Sequence, residues 1–186
     1  PEVEPSTISV TYGGQTALFP KGTPAGKAVE ALAPDDQPRL LSLMRGGLCM
    51  ELSAPLYEDS ELTGLTYADE EGRRVYERSL RFLLLLSMKR LFPDKRVRIL
   101  NSVGYGVYLR VLGEDMDHAM VRALEAEMRS LVQQDLPFDR ELWTLAQAIE
   151  YFTAHDYPDK AEILKYRPHQ TIAMYRIGDM REYFYG

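Results

Sequence analysis

Residues 6–19 read STISVTYGGQTALF, and this stretch decides the fold of the first part of the chain. Residues 6–12 alternate in polarity and are rich in β-branched side chains, a pattern typical of a half-buried strand. Gly13-Gly14 is a two-residue hairpin signal, because both central positions of such a turn need a positive φ. Residues 15–19 supply the return strand. We therefore predict that a β-hairpin opens the chain.

The residues after this hairpin are predicted to extend a small sheet that one helix crosses. A helix is expected over residues 24–33, because Thr23 suits an N-cap, Pro24 suits the first helical position and Pro34 lies beyond the end. Three further strands are predicted, at residues 40–44, 48–52 and 62–67. The order ββαβββ favours a sheet with a single crossing helix.

The remaining residues are predicted to form a second domain of the α+β class. A helix over 70–91 begins with acidic residues, which suit a helix N-terminus, and it ends before Pro93. A hairpin turning at Gly104-Tyr105 and a helix over 117–134 follow. Shorter elements are expected at 138–144, 146–153, 158–165, 171–177 and 180–184. The sequence thus predicts two α+β domains, residues 1–68 and residues 69–186.

Composition bounds the class of protein. The 186 residues are 45% hydrophobic and 27% charged, which excludes a disordered or fibrous chain. The single cysteine, Cys49, rules out an internal disulfide framework and fits a reducing, cytoplasmic location. The longest apolar run, residues 82–86, is far shorter than the roughly 20 residues that span a bilayer, so no membrane partner is expected. Residues 1–5 have neither a basic nor an apolar stretch, so no secretory signal is expected. The absent initiator Met and the aromatic ending at residues 183–186 suggest a fragment of a longer protein.

Charge is distributed unevenly along the chain. The formal net charge is −6, but residues 73–110 contain ten basic residues and only two acidic ones. Lys95, Arg96 and Arg98 in this window are candidate ligands for RNA or nucleotide phosphates, with Tyr105 and Tyr108 available for stacking. The alternative is a solvated helix face and charged edge strands, which protect a sheet against unwanted pairing.

Several reaction classes have no visible apparatus in the sequence. His118, His155 and His169 are widely spaced, and none lies at helical spacing from another histidine or from Cys49, so no zinc site is predicted. The glycines of Gly104-Tyr105-Gly106 lie between predicted strands and lack the rest of a dinucleotide fingerprint. Neither a P-loop nor a G-x-S-x-G elbow occurs. No catalytic residue and no metal ligand is therefore assigned.

Two known modules resemble the two predicted domains. The first domain resembles a TGS domain, the β-grasp module at the N-terminus of threonyl-tRNA synthetases, through ISVTYGG at 8–14, EALA at 30–33, Gly46-Gly47 and LTGLTY at 62–67. The segment from residue 69 onward resembles the second N-terminal domain of the same enzymes, which holds their editing site. Its most specific residues are DEEG at 69–72, Arg78-Ser79 and KRLFP at 89–93.

The resemblance implies a ligand pocket, but not the hydrolytic groups of the editing family. Arg78 and Phe82 stand where that family has a His-x-x-x-His pair, and Phe184 stands where it has a cysteine. Lys160 matches the family's lysine, and Glu182 occupies the position of an aspartate. Arginine and phenylalanine cannot carry protons near neutral pH as imidazoles do.

The residues that the resemblance places in the pocket are Arg78, Phe82, Tyr108, Lys160, Glu182 and Phe184. Each has a structural alternative: a salt bridge for Arg78, a core position for the two phenylalanines, and mutual neutralisation for Lys160 and Glu182.

The two modules with these replacements, and with endings such as KYRP at 165–168, are similar to the N-terminal half of nucleoside kinases of the uridine kinase type. This similarity implies a noncatalytic accessory region that binds RNA or a nucleotide, with a kinase domain, ATP and Mg²⁺ expected in a missing part of the same chain. No cofactor is expected in the fragment itself. The alternative is a tRNA-editing hydrolase fragment of a threonyl-tRNA synthetase-like protein. A purely structural docking or dimerisation module is the third interpretation.

Overall fold

A computed structural model describes residues 6–103, 106–113 and 115–184. The chain divides into two compact units, Pro1–Leu80 and Arg81–Gly186. The predicted domain boundary after residue 68 lies just before a long helix, whereas the division between the compact units falls within that helix. The α+β class predicted from the sequence is confirmed, since the chain contains both helices and sheets and all but one of the described strand pairings are antiparallel.

The first unit is built from short strands, one helix and one 3₁₀ turn. Its described elements are β1 (Thr7–Tyr12), β2 (Gln15–Pro20), β3 (Thr23–Pro24), α1 (Ala25–Leu32), the 3₁₀ turn Gln37–Arg39, β4 (Ser42–Arg45), β5 (Leu48–Met50), β6 (Pro55–Leu56) and β7 (Ser60–Leu65).

The main sheet of this unit has the strand order β2-β1-β7-β4-β5. Strand β1 pairs antiparallel with β2 through the predicted turn, where Gly13 and Gly14 have φ angles of 58° and 80°. It also pairs in parallel with β7, the last strand of the unit. Alternate residues of β1 point inward, so that Ile8 and Val10 join Val29 of α1 in the buried core. This is the β-grasp arrangement expected from the resemblance.

The start of α1 differs from the prediction. Pro24, and not Thr23, occupies the N-cap position, and no side chain caps the helix. Thr23 instead pairs with Leu56 in the β3–β6 ladder, and its hydroxyl donates to the carbonyl of Pro20 at 2.8 Å. The predicted cap is therefore wrong, because a pairing distant in sequence keeps this residue extended.

Helix α2 (Glu70–Leu91) follows the first sheet and contains the division between the units. The remaining described elements are β8 (Val97–Val103), β9 (Gly106–Val111), α3 (His118–Gln133), β10 (Asp139–Thr144), α4 (Leu145–Ala154), α5 (Pro158–Leu164), β11 (Thr171–Ile177) and β12 (Met180–Glu182). Strands β8 and β9 form the predicted hairpin, although its turn residues Gly104 and Tyr105 lie outside the described residues. No helix in the described part of the chain is both long and apolar enough to cross a membrane.

The second unit has a three-stranded antiparallel sheet in the order β10-β11-β12. Helices α4 and α5 supply Phe152 and Leu164 to a buried cluster that also contains Met174 of β11 and Tyr183. Helix α4 begins with a capping box, in which Thr144 and Gln147 bond reciprocally. These contacts fix α5 next to the end of β12.

A charged network ties the three strands of this sheet together. Glu141 on β10 accepts hydrogen bonds from Arg181 on β12 at 2.8 Å and from Arg176 on β11 at 3.0 Å. The hydrogen bonds from Arg181 are the main reason that the pKa of Glu141 lies below its ordinary value. The ionised carboxylate therefore stabilises the pairing of β10 with its neighbours.

Candidate ligand-binding site

A buried ion pair joins α5 to the end of β12. The ammonium of Lys160 contacts the carboxylate of Glu182, which is only 4% exposed. The other oxygen of that carboxylate accepts a hydrogen bond from the backbone N–H of Tyr183 at 3.0 Å. A carboxylate this deeply buried needs such partners, because an unpaired charge away from water is strongly disfavoured.

Aromatic rings surround the Lys160 ammonium. Its Nζ lies 4.8 Å from the ring centroid of Tyr157 and 5.5 Å from that of Phe152, distances at which a cation is attracted to a ring face. Tyr183 packs against Phe152 with ring centroids 5.4 Å apart. Burial, and secondarily the charge of Glu182, raises the pKa of Tyr157 above its ordinary value. Tyr157 is therefore a neutral phenol near neutral pH.

Two of the predicted phosphate ligands, Arg96 just before β8 and Arg98 on it, contact the segment that carries Lys160. Arg96 forms an ion pair with Asp156, and Arg98 contacts Asp159 with 2.7 Å between Nη2 and Oδ2. All four side chains are more than half exposed. Lys95 is also engaged with neighbouring groups. Such exposed pairs contribute little to stability, so a phosphate can compete with the aspartates for the guanidinium groups.

The two phenylalanines expected in the pocket lie together in a hydrophobic core. Phe82 has no exposed surface, and its ring centroid lies 5.9 Å from that of Phe184 and 5.7 Å from that of Phe138. Phe184 also contacts Tyr175 at 5.5 Å. Phe82 therefore occupies a core position, the structural alternative to lining a pocket.

No contact among the described residues joins Tyr108 or Arg78 to the Lys160–Glu182 pair. Tyr108 on β9 is 60% exposed, and within the described residues no hydrogen bond or ring contact joins it to that pair. Arg78 belongs to the first unit, where its Nε donates to the carbonyl of Arg74 at 3.2 Å. The site that the second unit forms thus rests on Lys160 and Glu182.

Sequence reasoning missed the residues that surround this pair. Tyr157 and Phe152 contact the lysine, and Asp156 and Asp159 hold the arginines. The sequence contained one signal for these contacts. Arg96 and Arg98 lie on either side of the first residue of a strand, and Asp156 and Asp159 lie on either side of the first residue of a helix. Residues two apart lie on the same face of a strand, and residues three apart lie on the same face of a helix. Two such faces with opposite charges predict surfaces that contact each other.

The chemistry available at this site is recognition of a polar group. Lys160 can donate to an acceptor such as a carbonyl or phosphate oxygen, and Glu182 can accept from an ammonium or hydroxyl group. His118, His155 and His169 are all exposed, and His155 is turned toward the carbonyl of Tyr151 at 2.7 Å. Among the described residues, no cluster of histidine, cysteine and carboxylate side chains is arranged to hold a metal ion.

Fold and site together define a β-grasp unit followed by an α+β unit with a buried lysine–glutamate pair. No protein-family profile matches the chain. Its relatives include the "Threonine--tRNA ligase" of Desulforamulus reducens, which is 33% identical over 135 residues, 72% of this chain and 21% of the relative. The enzyme of the same name from Halalkalibacterium halodurans is 27% identical over 92% of the chain and 27% of the relative, and that of Carboxydothermus hydrogenoformans is 29% identical over 87% and 26%.

The chain is thus homologous to part of threonine–tRNA ligases, and it spans less than a third of the length of these relatives. This finding supports the resemblance to the N-terminal modules of threonyl-tRNA synthetases. It contradicts the assignment to a nucleoside kinase, because the relatives carry the name of the synthetase. The relatives favour the alternative interpretation, a fragment related to threonyl-tRNA synthetase.

Proposed function

We propose that this chain is a tRNA-recognising region of a protein related to threonyl-tRNA synthetase. Its second unit binds the aminoacylated end of the tRNA at the Lys160–Glu182 pair. The observation that carries the proposal is this buried pair beneath aromatic rings, in a chain homologous to threonine–tRNA ligases. Lys160, whose side chain is 27% exposed, donates to the ester carbonyl of the aminoacyl group, and the buried Glu182 holds the lysine in position for this contact.

The arginines near the start of β8 supply the contacts to the nucleic acid. Arg96 and Arg98 lie beside the segment 156–160, because their aspartate partners flank the start of α5. When the two arginines release the exposed aspartates and bind backbone phosphates instead, the RNA lies next to Lys160. The contribution of each phosphate contact depends on salt, since binding releases counterions.

Hydrolytic editing is the second candidate function. Similarity to threonine–tRNA ligases and the retained Lys160 favour it. The described geometry favours binding over hydrolysis, because Glu182 is occupied by two donors and the three imidazoles are exposed elsewhere. A general base must reach the proton that it removes, and Glu182 is buried with both carboxylate oxygens already accepting hydrogen bonds.

The test compares seryl-tRNA and threonyl-tRNA for threonine with the same tRNA uncharged, in filter binding at physiological salt. A double variant, Lys160→Met with Glu182→Leu, removes both charges without leaving one of them buried alone. The matched control is Lys165→Met with Glu162→Leu, an exposed pair at the C-terminal end of the same helix with 2.6 Å between its charged atoms. We expect only the first double variant to lose the preference for aminoacylated tRNA.

Equal binding of charged and uncharged tRNA, or the same loss in both double variants, refutes the proposal. The same samples decide the second candidate. Release of serine above the blank that disappears in the Lys160→Met, Glu182→Leu variant establishes a hydrolase.

A further inference from the structure

The first unit contains an open cleft that is separate from the site described above. Arg39, Leu41, Tyr67 and Tyr76 line a volume of about 330 Å³. This size falls at the lower end of the roughly 300–1,000 Å³ of small-molecule sites. All four residues belong to the same compact unit.

Two tyrosine rings form an aromatic corner of this cleft. The ring centroids of Tyr67 and Tyr76 lie 5.2 Å apart and their planes meet at 84°. Tyr67 is 53% exposed and Tyr76 is 43% exposed, so ring surface remains open to solvent. A planar ligand that stacks on one tyrosine ring meets the edge of the other ring. Stacked and edge-to-face contacts are the two arrangements that aromatic pairs prefer.

Backbone contacts hold the walls of the cleft in place. The N–H of Leu41 donates to the carbonyl of Leu65 at 2.9 Å, which fixes the approach to β4 against the end of β7. The carboxylate of Asp69 accepts from the N–H of Thr66 at 2.7 Å and fixes the turn into α2. The hydrogen bonds that the backbone N–H and the hydroxyl of Thr66 donate to this carboxylate keep the pKa of Asp69 below its ordinary value. The two tyrosines therefore extend from fixed positions, which lowers the entropy lost on binding.

Arg39 gives the cleft its charge. Asp36, three residues before Arg39, accepts from Tyr12. The acids at the turn into α2 also have partners, since Asp69 accepts from Thr66 and Glu70 and Glu71 pair with Arg74. Among the residues that the structure describes, no carboxylate forms an ion pair with Arg39. A guanidinium without a carboxylate partner beside two exposed rings favours a planar aromatic ligand that carries an anion.

We propose that this cleft binds one nucleoside 5′-monophosphate unit, with its base on the tyrosines and its phosphate on Arg39. The bound nucleoside monophosphate is either a free nucleotide or one nucleotide of a single-stranded RNA. Base stacking on aromatic side chains tolerates different bases, so little preference among them is expected. This site lies in a different unit from Lys160 and does not depend on aminoacyl recognition there.

The test measures the fluorescence polarisation of a labelled single-stranded RNA hexamer with the full chain, and competition by UMP, AMP and unphosphorylated uridine. Tyr76→Leu is expected to weaken binding about tenfold, whereas Tyr76→Phe retains the ring and the affinity. Arg39→Gln is expected to flatten the dependence of log K on log salt by about 0.7. Matched controls are Tyr57→Leu and Arg45→Gln, exposed residues of the same unit outside the cleft.

Competition by UMP and AMP but not by uridine supports the site with free nucleotides as its source. Binding of the hexamer that resists UMP but falls in Tyr76→Leu supports it with RNA as the source. Absence of binding, or equal losses in the cleft variants and their controls, overturns the proposal. The Lys160→Met, Glu182→Leu variant should bind nucleotide as the unaltered chain does, so failure of the aminoacyl site and failure of this one are distinguishable.

Discussion

Replacing Lys160 with methionine tests how much the buried pair contributes to the second unit. The substitution keeps the length of the side chain but removes the ammonium that contacts Glu182 and lies 4.8 Å from the Tyr157 ring. Removing one partner of a buried pair typically costs 3–5 kcal/mol. Because the Lys160 side chain is itself 27% exposed and the N–H of Tyr183 still donates to the carboxylate, we expect the lower end, about 3 kcal/mol.

The assay is urea denaturation followed by tryptophan fluorescence. Trp143 is the single tryptophan of the chain and lies on β10, so its emission reports unfolding of the second unit. With a slope of about 1.5–2 kcal/mol per molar urea, the loss corresponds to a midpoint lower by about 1.5–2 M. The accompanying double variant Lys160→Met, Glu182→Leu should recover most of the loss, because no charge then stays buried without a partner.

A shift of the midpoint below about 0.3 M in the single variant would refute this reasoning, since the carboxylate would then be stable without its lysine. Recovery that fails in the double variant would show that the cost comes from packing and not from the unpaired charge. Lys160→Arg serves as the control that keeps the positive charge.

Three further predictions concern other parts of the chain. Gly72→Ala should destabilise the first unit by about 2–3 kcal/mol in thermal denaturation followed by circular dichroism, because an added Cβ would collide with the carbonyl of Thr66. Glu141→Gln should lower the stability of the second unit by about 1 kcal/mol at pH 7. Hydrogen bonds lower the pKa of Glu141 in the folded chain, so the stability that its carboxylate contributes is present above the ordinary pKa of about 4.3. That stability is lost as the pH falls through the lowered pKa. The urea midpoints of the unaltered chain and the Glu141→Gln variant should therefore converge in acid. Arg96→Ala with Arg98→Ala should change stability by less than about 1 kcal/mol but flatten the salt dependence of tRNA binding by about one per lost phosphate contact; an unchanged slope contradicts a role in RNA binding.

Local chemistry made the secondary structure largely predictable. Gly13-Gly14 and Gly46-Gly47 both adopt positive φ angles suited to a two-residue hairpin turn, and they mark the turns of the β1–β2 and β4–β5 hairpins. The helix predicted over 117–134 is found at His118–Gln133, and Asp117 is its N-cap, accepting from the N–H of Met120 at 2.8 Å. Such signals lie within a few residues of the feature that they specify.

Features that depend on distant residues were harder to predict. Thr23 has the side chain of an N-cap, but its pairing with Leu56 on β6 prevents that role. Sequence alone left open whether Lys160 and Glu182 bind a ligand or each other. The tertiary fold buries Glu182 and places its carboxylate in contact with Lys160. The partners of Arg96 also required the tertiary fold, since Asp156 lies far along the chain.

The pairing of β1 with β7 has a consequence for how the chain acquires its structure. Val10 lies opposite Ser60 in this parallel ladder, so the middle of the sheet is closed by the last strand of its unit. During synthesis the opening hairpin can form early, but its inner edge has no neighbour until residue 65 has left the ribosome. A ribosome that stalls before that point therefore exposes an open strand edge, the kind of surface that chaperones protect from aggregation.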